Sequence, residues 1–138
     1  MSDATVLTVG VFDMLHEGHA KLFERMAEKG TPVVLVHDDR SVFDLKKRFP
    51  VQTLSQRMRN IIDTGLVAQG DVYDLRSVDP SEWLRWIVTV RKGCTFMRGD
   101  DMPEFPGHRT LRELGIPVEL VPYSKGISSS QRRRDECA

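Results

Sequence analysis

Two histidines three residues apart, His16 and His19, stand where a chain of this kind could bind and react with phosphate. They belong to GVFDMLHEGH, residues 10–19, set between an apolar β-branched run (Val6, Leu7, Val9, Val11) and a helix-forming stretch. The pattern predicts a buried strand ending in a tight turn that delivers both imidazoles to a helix N-terminus. There, free N–H groups and the positive end of the dipole favour an anion. On a helical first turn, positions i and i+3 share a face, so the two rings would converge on one phosphate. Attack on phosphorus builds negative charge on its oxygens, and placed donors offset that charge without a covalent step. A metal site fits less well: HxGH is not HExxH, and no third ligand stands at a matching spacing. The plain alternative is a pair of histidines that cap the helix or fill the core.

Such residues need a scaffold, and the rest of the chain supplies the pattern of one. Apolar, β-rich runs alternate with helical ones, which predicts an α/β domain with a parallel sheet flanked by helices. Strands are expected over 6–11, 32–37, 72–75, 95–97 and 118–121. Helices are expected over 17–29, 55–68, 81–92 and 108–114, with a short one beginning at Ser128 or Ser129. Ligands of such sheets sit at the carboxyl ends of the strands, near the topological switch point. Residues 10–19 follow the first strand, Arg98-Gly99-Asp100-Asp101 a later one, and the stretch from Tyr123 to Ser130 the last. Residues 1–138 read as one domain, frayed after Arg134.

Composition narrows the partners. Twenty Lys and Arg balance twenty Asp and Glu, so no global field draws in nucleic acid or a membrane surface. No apolar run approaches the ~20 residues needed to span a bilayer. Nothing at the N-terminus resembles a signal peptide. Cys94 and Cys137 lack any metal-binding or redox spacing and fit plain thiols in a reducing cytosol. Trp83 and Trp86, three apart on a helix, fit a core stripe or a dimer surface.

The decapeptide GxFDxxHxGH resembles the signature of the cytidylyltransferases, within the wider nucleotidyltransferases that share HxGH. Further elements follow in family order. KKRFPVQTLSQR, residues 46–57, is similar to a lysine-bearing loop before a helix that carries an arginine. Met97-Arg98-Gly99-Asp100-Asp101 resembles a GDD or GND element at a strand end. Tyr123-Ser124-Lys125-Gly126-Ile127-Ser128-Ser129-Ser130 resembles the second signature, RTxGISTT. Two positions depart from the family: Val11 stands where Thr is common, and Tyr123 replaces the leading Arg.

The resemblance implies a Rossmann-like nucleotidyltransferase domain, most like glycerol-3-phosphate cytidylyltransferase. Its reaction would move CMP from CTP to a phosphorylated alcohol, glycerol 3-phosphate first among them, giving a CDP-alcohol and pyrophosphate. His16, His19, Lys46 and Arg57 would be the catalytic groups. Gly10, Val11, Phe12, Gly18, Asp100, Ser124, Gly126, Ile127, Ser128 and Ser129 would bind the nucleotide, though Phe12 most simply packs under the loop. Asp13, Lys47, Arg98 and Asp101 would bind the acceptor, with residues 102–109, including Phe105 and His108, lining its side. Asp13 has other open roles: orienting a histidine, holding the turn or approaching a metal-bound phosphate. Mg²⁺ is the implied cofactor, with no dedicated protein cage, and a cytoplasmic homodimer the implied form. Two other readings stay open: an adenylyltransferase of the FAD synthetase or ADP-heptose type, and a catalytically weak nucleotide-binding module.

Overall fold

The β-branched runs form strands β1 (Thr5–Gly10), β2 (Thr31–His37), β3 (Val72–Leu75), β4 (Cys94–Gly99) and β5 (Val118–Val121). This is seen in a computed structural model that describes residues 4–99 and 105–122. All pairings are parallel, and the order across the sheet is β3-β2-β1-β4-β5. The unbroken apolar run Val33-Val34-Leu35-Val36 is fully buried, as a strand covered on both faces requires. Five helices connect the strands: α1 (Glu17–Lys29), α2 (Asp39–Lys46), α3 (Leu54–Asp63), α4 (Ser81–Val90) and α5 (His108–Glu113).

Alternate strand residues divide into two cores. Val6, Val34, Val36 and Met97 meet Phe23 and Met26 of α1 and Ile61 of α3. Leu7, Val33, Leu35 and Phe96 meet Leu84 and Ile87 of α4 and Leu111 of α5. Strand order accounts for this division. From β1 the chain steps outward to β2 and β3, then returns past β1 to β4 and β5. A right-handed crossover kept through that reversal moves the later helices to the opposite face. The reversal also opens a crevice at the carboxyl ends of β1 and β4, where such sheets bind ligands.

Several elements differ from the sequence expectation. β1 stops at Gly10, and the Val11 carbonyl accepts from Arg57 instead of a neighbouring strand. The helix expected over 55–68 ends at Asp63: Thr64 donates its hydroxyl to Ile61 O, and Gly65 turns left-handed at φ 76°. A 3-10 turn, Gln69–Asp71, follows it. Helix α2 occupies what reads as a polar connection. Asp38 caps it by accepting from Ser41 N–H, and Lys47 ends it in a left-handed conformation. Only Ser41 and Val42 of α2 are buried, and its Phe43 and Leu45 are left at the surface.

Trp83 and Trp86 form a cluster with Tyr73 of the edge strand β3, and Trp86 is half-exposed. Cys94 is partly buried, and burial pushes its thiol pKa up. Among the described residues, no helix is long and apolar enough to cross a membrane. Asp100, Asp101, Ser124, Gly126, Ile127, Ser128 and Ser129 lie outside the described residues, as do Tyr123, Cys137 and the short helix expected near Ser128.

Candidate active site

The turn after β1 puts two residues with Cβ atoms into left-handed backbone, Phe12 at φ 53° and Met14 at φ 54°. Each such residue costs about 1–2 kcal/mol relative to an extended or helical one, so something must hold it. Phe12 is held by burial. Its ring tilts against Phe23 at 5.4 Å and meets the His19 ring edge-on at 5.4 Å. The ring also folds back over Gly10, where a Cβ would stand 2.9 Å from its tip. Gly10 therefore makes room for Phe12, and both serve the turn's shape, in line with the simpler reading of Phe12.

His16 is not on the first turn of α1 but caps it, with extended backbone (φ −136°, ψ −178°). Its Nδ1 accepts from Gly18 N–H at 3.0 Å, and His19 Nδ1 accepts from His16 N–H at 3.3 Å. The two rings lie stacked, 3.9 Å between centroids and 21° apart. The helix-capping alternative is thus realised, and it bears on the chemistry. A neutral imidazole that accepts at Nδ1 carries its proton on Nε2. The cap therefore orients two parallel rings, each a donor at Nε2, beside the positive end of a helix.

Arg57 does not lie where a phosphate ligand would. Its side chain is fully buried, and its guanidinium is spent on the protein. Nε donates to Gln52 O at 3.1 Å, Nη1 to Val11 O at 2.8 Å and to His37 O at 2.7 Å, and Nη2 to Asp39 at 2.7 Å. One side chain thus ties the signature turn, the end of β2, the start of α2 and the loop before α3. Asp13 is also structural: its carboxylate, 1% exposed, accepts from Val51 N–H at 2.8 Å and Gln52 N–H at 2.9 Å. Among the roles left open for Asp13, holding the turn is the one the geometry displays, rather than acceptor binding.

The other expected cations are spread more widely. Lys46 ends α2 and Lys47 is its left-handed C-cap, both exposed. Arg98 lies over the Phe105 ring at 4.4 Å. Phe105 in turn stacks on Phe96 at 5.2 Å and on His108 at 4.9 Å. Phe105 therefore packs against the core beneath α4 and α5. A groove of about 590 Å³ adjoins the turn, lined by Met14, Leu15, Val51, Gln52, Asn60, Asp63 and Thr64. A larger groove of about 810 Å³ runs from the loop after β3 to α5 and contains no residue of the signature turn. Among the described residues, no group of three His, Cys, Asp or Glu side chains could hold a metal ion.

Sequence reasoning passes over Gln52 and His37. Gln52 carries no charge, and within its motif-like stretch only its long-range bonds single it out. His37 is buried at the end of β2, with Nδ1 hydrogen-bonded to Ser77 O at 3.1 Å. Burial pushes its pKa from 6.5 down to about 4; Arg57 and Arg98 add to the fall, while the Ser77 carbonyl and Asp38 oppose it.

The cytidylyltransferase-like family model matches residues 7–135. The bifunctional protein HldE of Halorhodospira halophila is 32% identical over 137 residues, covering 91% of this chain and 26% of its own length. HldE of Alkalilimnicola ehrlichii is 33% identical over 128 residues, covering 91% and 26%. The chain thus spans about a quarter of the length of these curated relatives. A solved lipopolysaccharide core biosynthesis protein from Thermoplasma volcanium is 26% identical with a TM-score of 0.62, over 88% of this chain and 97% of that one. Where the motifs resemble glycerol-3-phosphate cytidylyltransferase, HldE proteins are among the relatives that match.

Two predictions follow from the buried groups. Replacing Arg57→Lys keeps a charge but loses the planar fork, and should lower stability to chemical denaturation by about 2–4 kcal/mol. Stability equal to the parent's would contradict the structural role. For His37, the unfolded ring binds a proton below about 6.5 and the folded ring only below about 4. Stability should therefore be full above the upper value and fall through that window on acidification, by on the order of 3 kcal/mol. His37→Asn, which can still donate to Ser77 O, should flatten that slope in denaturation series across pH; an unchanged slope would assign it to other groups.

Proposed function

We propose that this chain, which belongs to the cytidylyltransferase-like family, is a nucleotidyltransferase that joins AMP from ATP to a phosphorylated sugar. The observation that carries nucleotidyl transfer is the stacked His16–His19 pair, whose Nδ1 atoms are both taken by the helix cap. In the reaction, an oxygen of the acceptor phosphate bonds to the α-phosphorus. The bond from that phosphorus to the oxygen bridging it to the β-phosphate breaks, and pyrophosphate leaves. His16 and His19 donate to phosphate oxygens as charge grows on them, next to the positive end of α1. Lys46 and Lys47 supply mobile positive charge. Mg²⁺, the implied cofactor, would supply charge neutralisation at the triphosphate oxygens. By resemblance, Asp100, Ser124 and the residues from Gly126 to Ser129 hold the nucleotide, and Arg98 and Asp101 the acceptor. The active form would be a homodimer.

ATP and a sugar phosphate are favoured by the kind of relative. HldE proteins match over nine-tenths of this chain, and the structural neighbour is a lipopolysaccharide core biosynthesis protein. Lipopolysaccharide cores are built of sugars, which enter synthesis as nucleotide sugars, and the ADP-heptose type of adenylyltransferase makes one. The second reading, CTP with glycerol 3-phosphate, rests on FDxxHxGH combined with the GIS element.

Substitution separates the cap from the chemistry. His16→Asn keeps a side-chain oxygen that caps a helix well, yet removes the Nε2 donor. Turnover should fall by about 10²–10³-fold with stability nearly unchanged, as for other lost transition-state donors. Near-normal turnover would remove His16 from the mechanism. The substrate is tested by pyrophosphate release from ATP or CTP with Mg²⁺ and a panel of sugar and alcohol phosphates. Release is expected with ATP and a sugar phosphate. Release only with CTP and glycerol 3-phosphate would establish the second reading, and none with any pair would count against an enzyme.

A further inference from the structure

The turn that aims His16 and His19 is held in part by residues outside it. Between Gly10 and His16 the chain passes through two left-handed positions, Phe12 and Met14. Phe12 is fixed by packing of its ring, and Met14, whose side chain is also buried, donates its N–H to a distant segment. Gln52 Oε1 accepts from Met14 N–H at 2.9 Å and from Asn60 Nδ2 at 3.2 Å. A backbone N–H can only donate, so the side-chain atom facing it is the amide oxygen. The Gln52 backbone joins the same assembly. Its N–H donates to Asp13 at 2.9 Å, and its carbonyl accepts from Arg57 Nε at 3.1 Å. Three polar groups of one residue thus grip positions 13 and 14 and the arginine that binds Val11 O.

We propose that Gln52 is a positioning residue for nucleotidyl transfer: its amide oxygen sets the left-handed turn at Met14 and so the orientation in which His16 caps α1 and presents its ring. The inference rests on the functional reading above for its link to turnover, but not for its geometry. Met14 lies two residues before His16, so a change in its φ and ψ re-aims the chain that enters the cap. A catalytic donor displaced by about 1 Å can lose on the order of a hundredfold in rate. Gln52 itself touches no reacting atom in this scheme; it acts through Met14.

The test compares two side chains of nearly the same size. Gln52→Met has no oxygen to offer, whereas Gln52→Glu keeps an acceptor for both donors. Each is measured for kcat, for KM of the nucleoside triphosphate, for thermal midpoint and for hydrogen exchange at the Met14 amide, well below the midpoint. Gln52→Met should lower kcat by about ten- to a hundredfold, the range expected of a misplaced donor. Its KM should move much less, and Met14 exchange should quicken. Gln52→Glu should restore most of kcat and the slow exchange. A folded Gln52→Met with parental kcat and exchange would overturn the proposal. So would equal losses in both variants, because the acceptor oxygen would then not be the cause. If the parent protein transfers no nucleotide, the functional reading fails, while Met14 exchange alone still decides whether Gln52 holds the turn.

Discussion

A guanidinium with no access to water organises this molecule's active edge. Arg57 can satisfy its donors only if Val11 O, His37 O, Gln52 O and the Asp39 carboxylate converge on it. A buried charge left short of partners is costly, so the four segments that carry these acceptors are locked to one another. They are the signature turn, the end of β2, the start of α2 and the approach to α3. The partner carboxylate, Asp39, is 43% exposed, so the pair keeps one foot in solvent and avoids the full desolvation of a buried ion pair.

From that anchor the site follows by short steps. Asp13 holds residues 51 and 52, Gln52 holds Met14, and the Phe12 ring lies over Gly10 and against His19. His16 and His19 then close the end of α1 reciprocally, each through Nδ1. The sheet supplies the place: strand order reverses between β1 and β4, and the turn leaves β1 at that crevice. The cap uses Nδ1 of each ring and the proposed role toward phosphate uses Nε2, so the two do not compete.

The strands and α1 are legible in the sequence because burial on two faces and apolar periodicity are local signals. The importance of residues 10–19 is legible too, from residue type and position after a strand. What misleads is charge. Arg57 sits in a motif-like stretch beside lysines, and a lone arginine there reads as a phosphate ligand; its burial depends on acceptors 5 to 46 residues away. Asp13 reads as an acceptor ligand for the same reason, although its carboxylate accepts from two backbone N–H groups 38 and 39 residues on. Helix α2 escapes notice because it buries little. Gln52 is neutral, in a loop, and visible only through long-range bonds.

The central claim is that the helix cap fixes both histidines as Nε2 donors. Long-range ¹H–¹⁵N correlation of the imidazole nitrogens, in the ligand-free protein at neutral pH, reads this directly. His16 and His19 should both show an unprotonated Nδ1 and a protonated Nε2. Protons on Nδ1 of either ring would contradict the cap and, with it, the arrangement from which phosphate chemistry is derived.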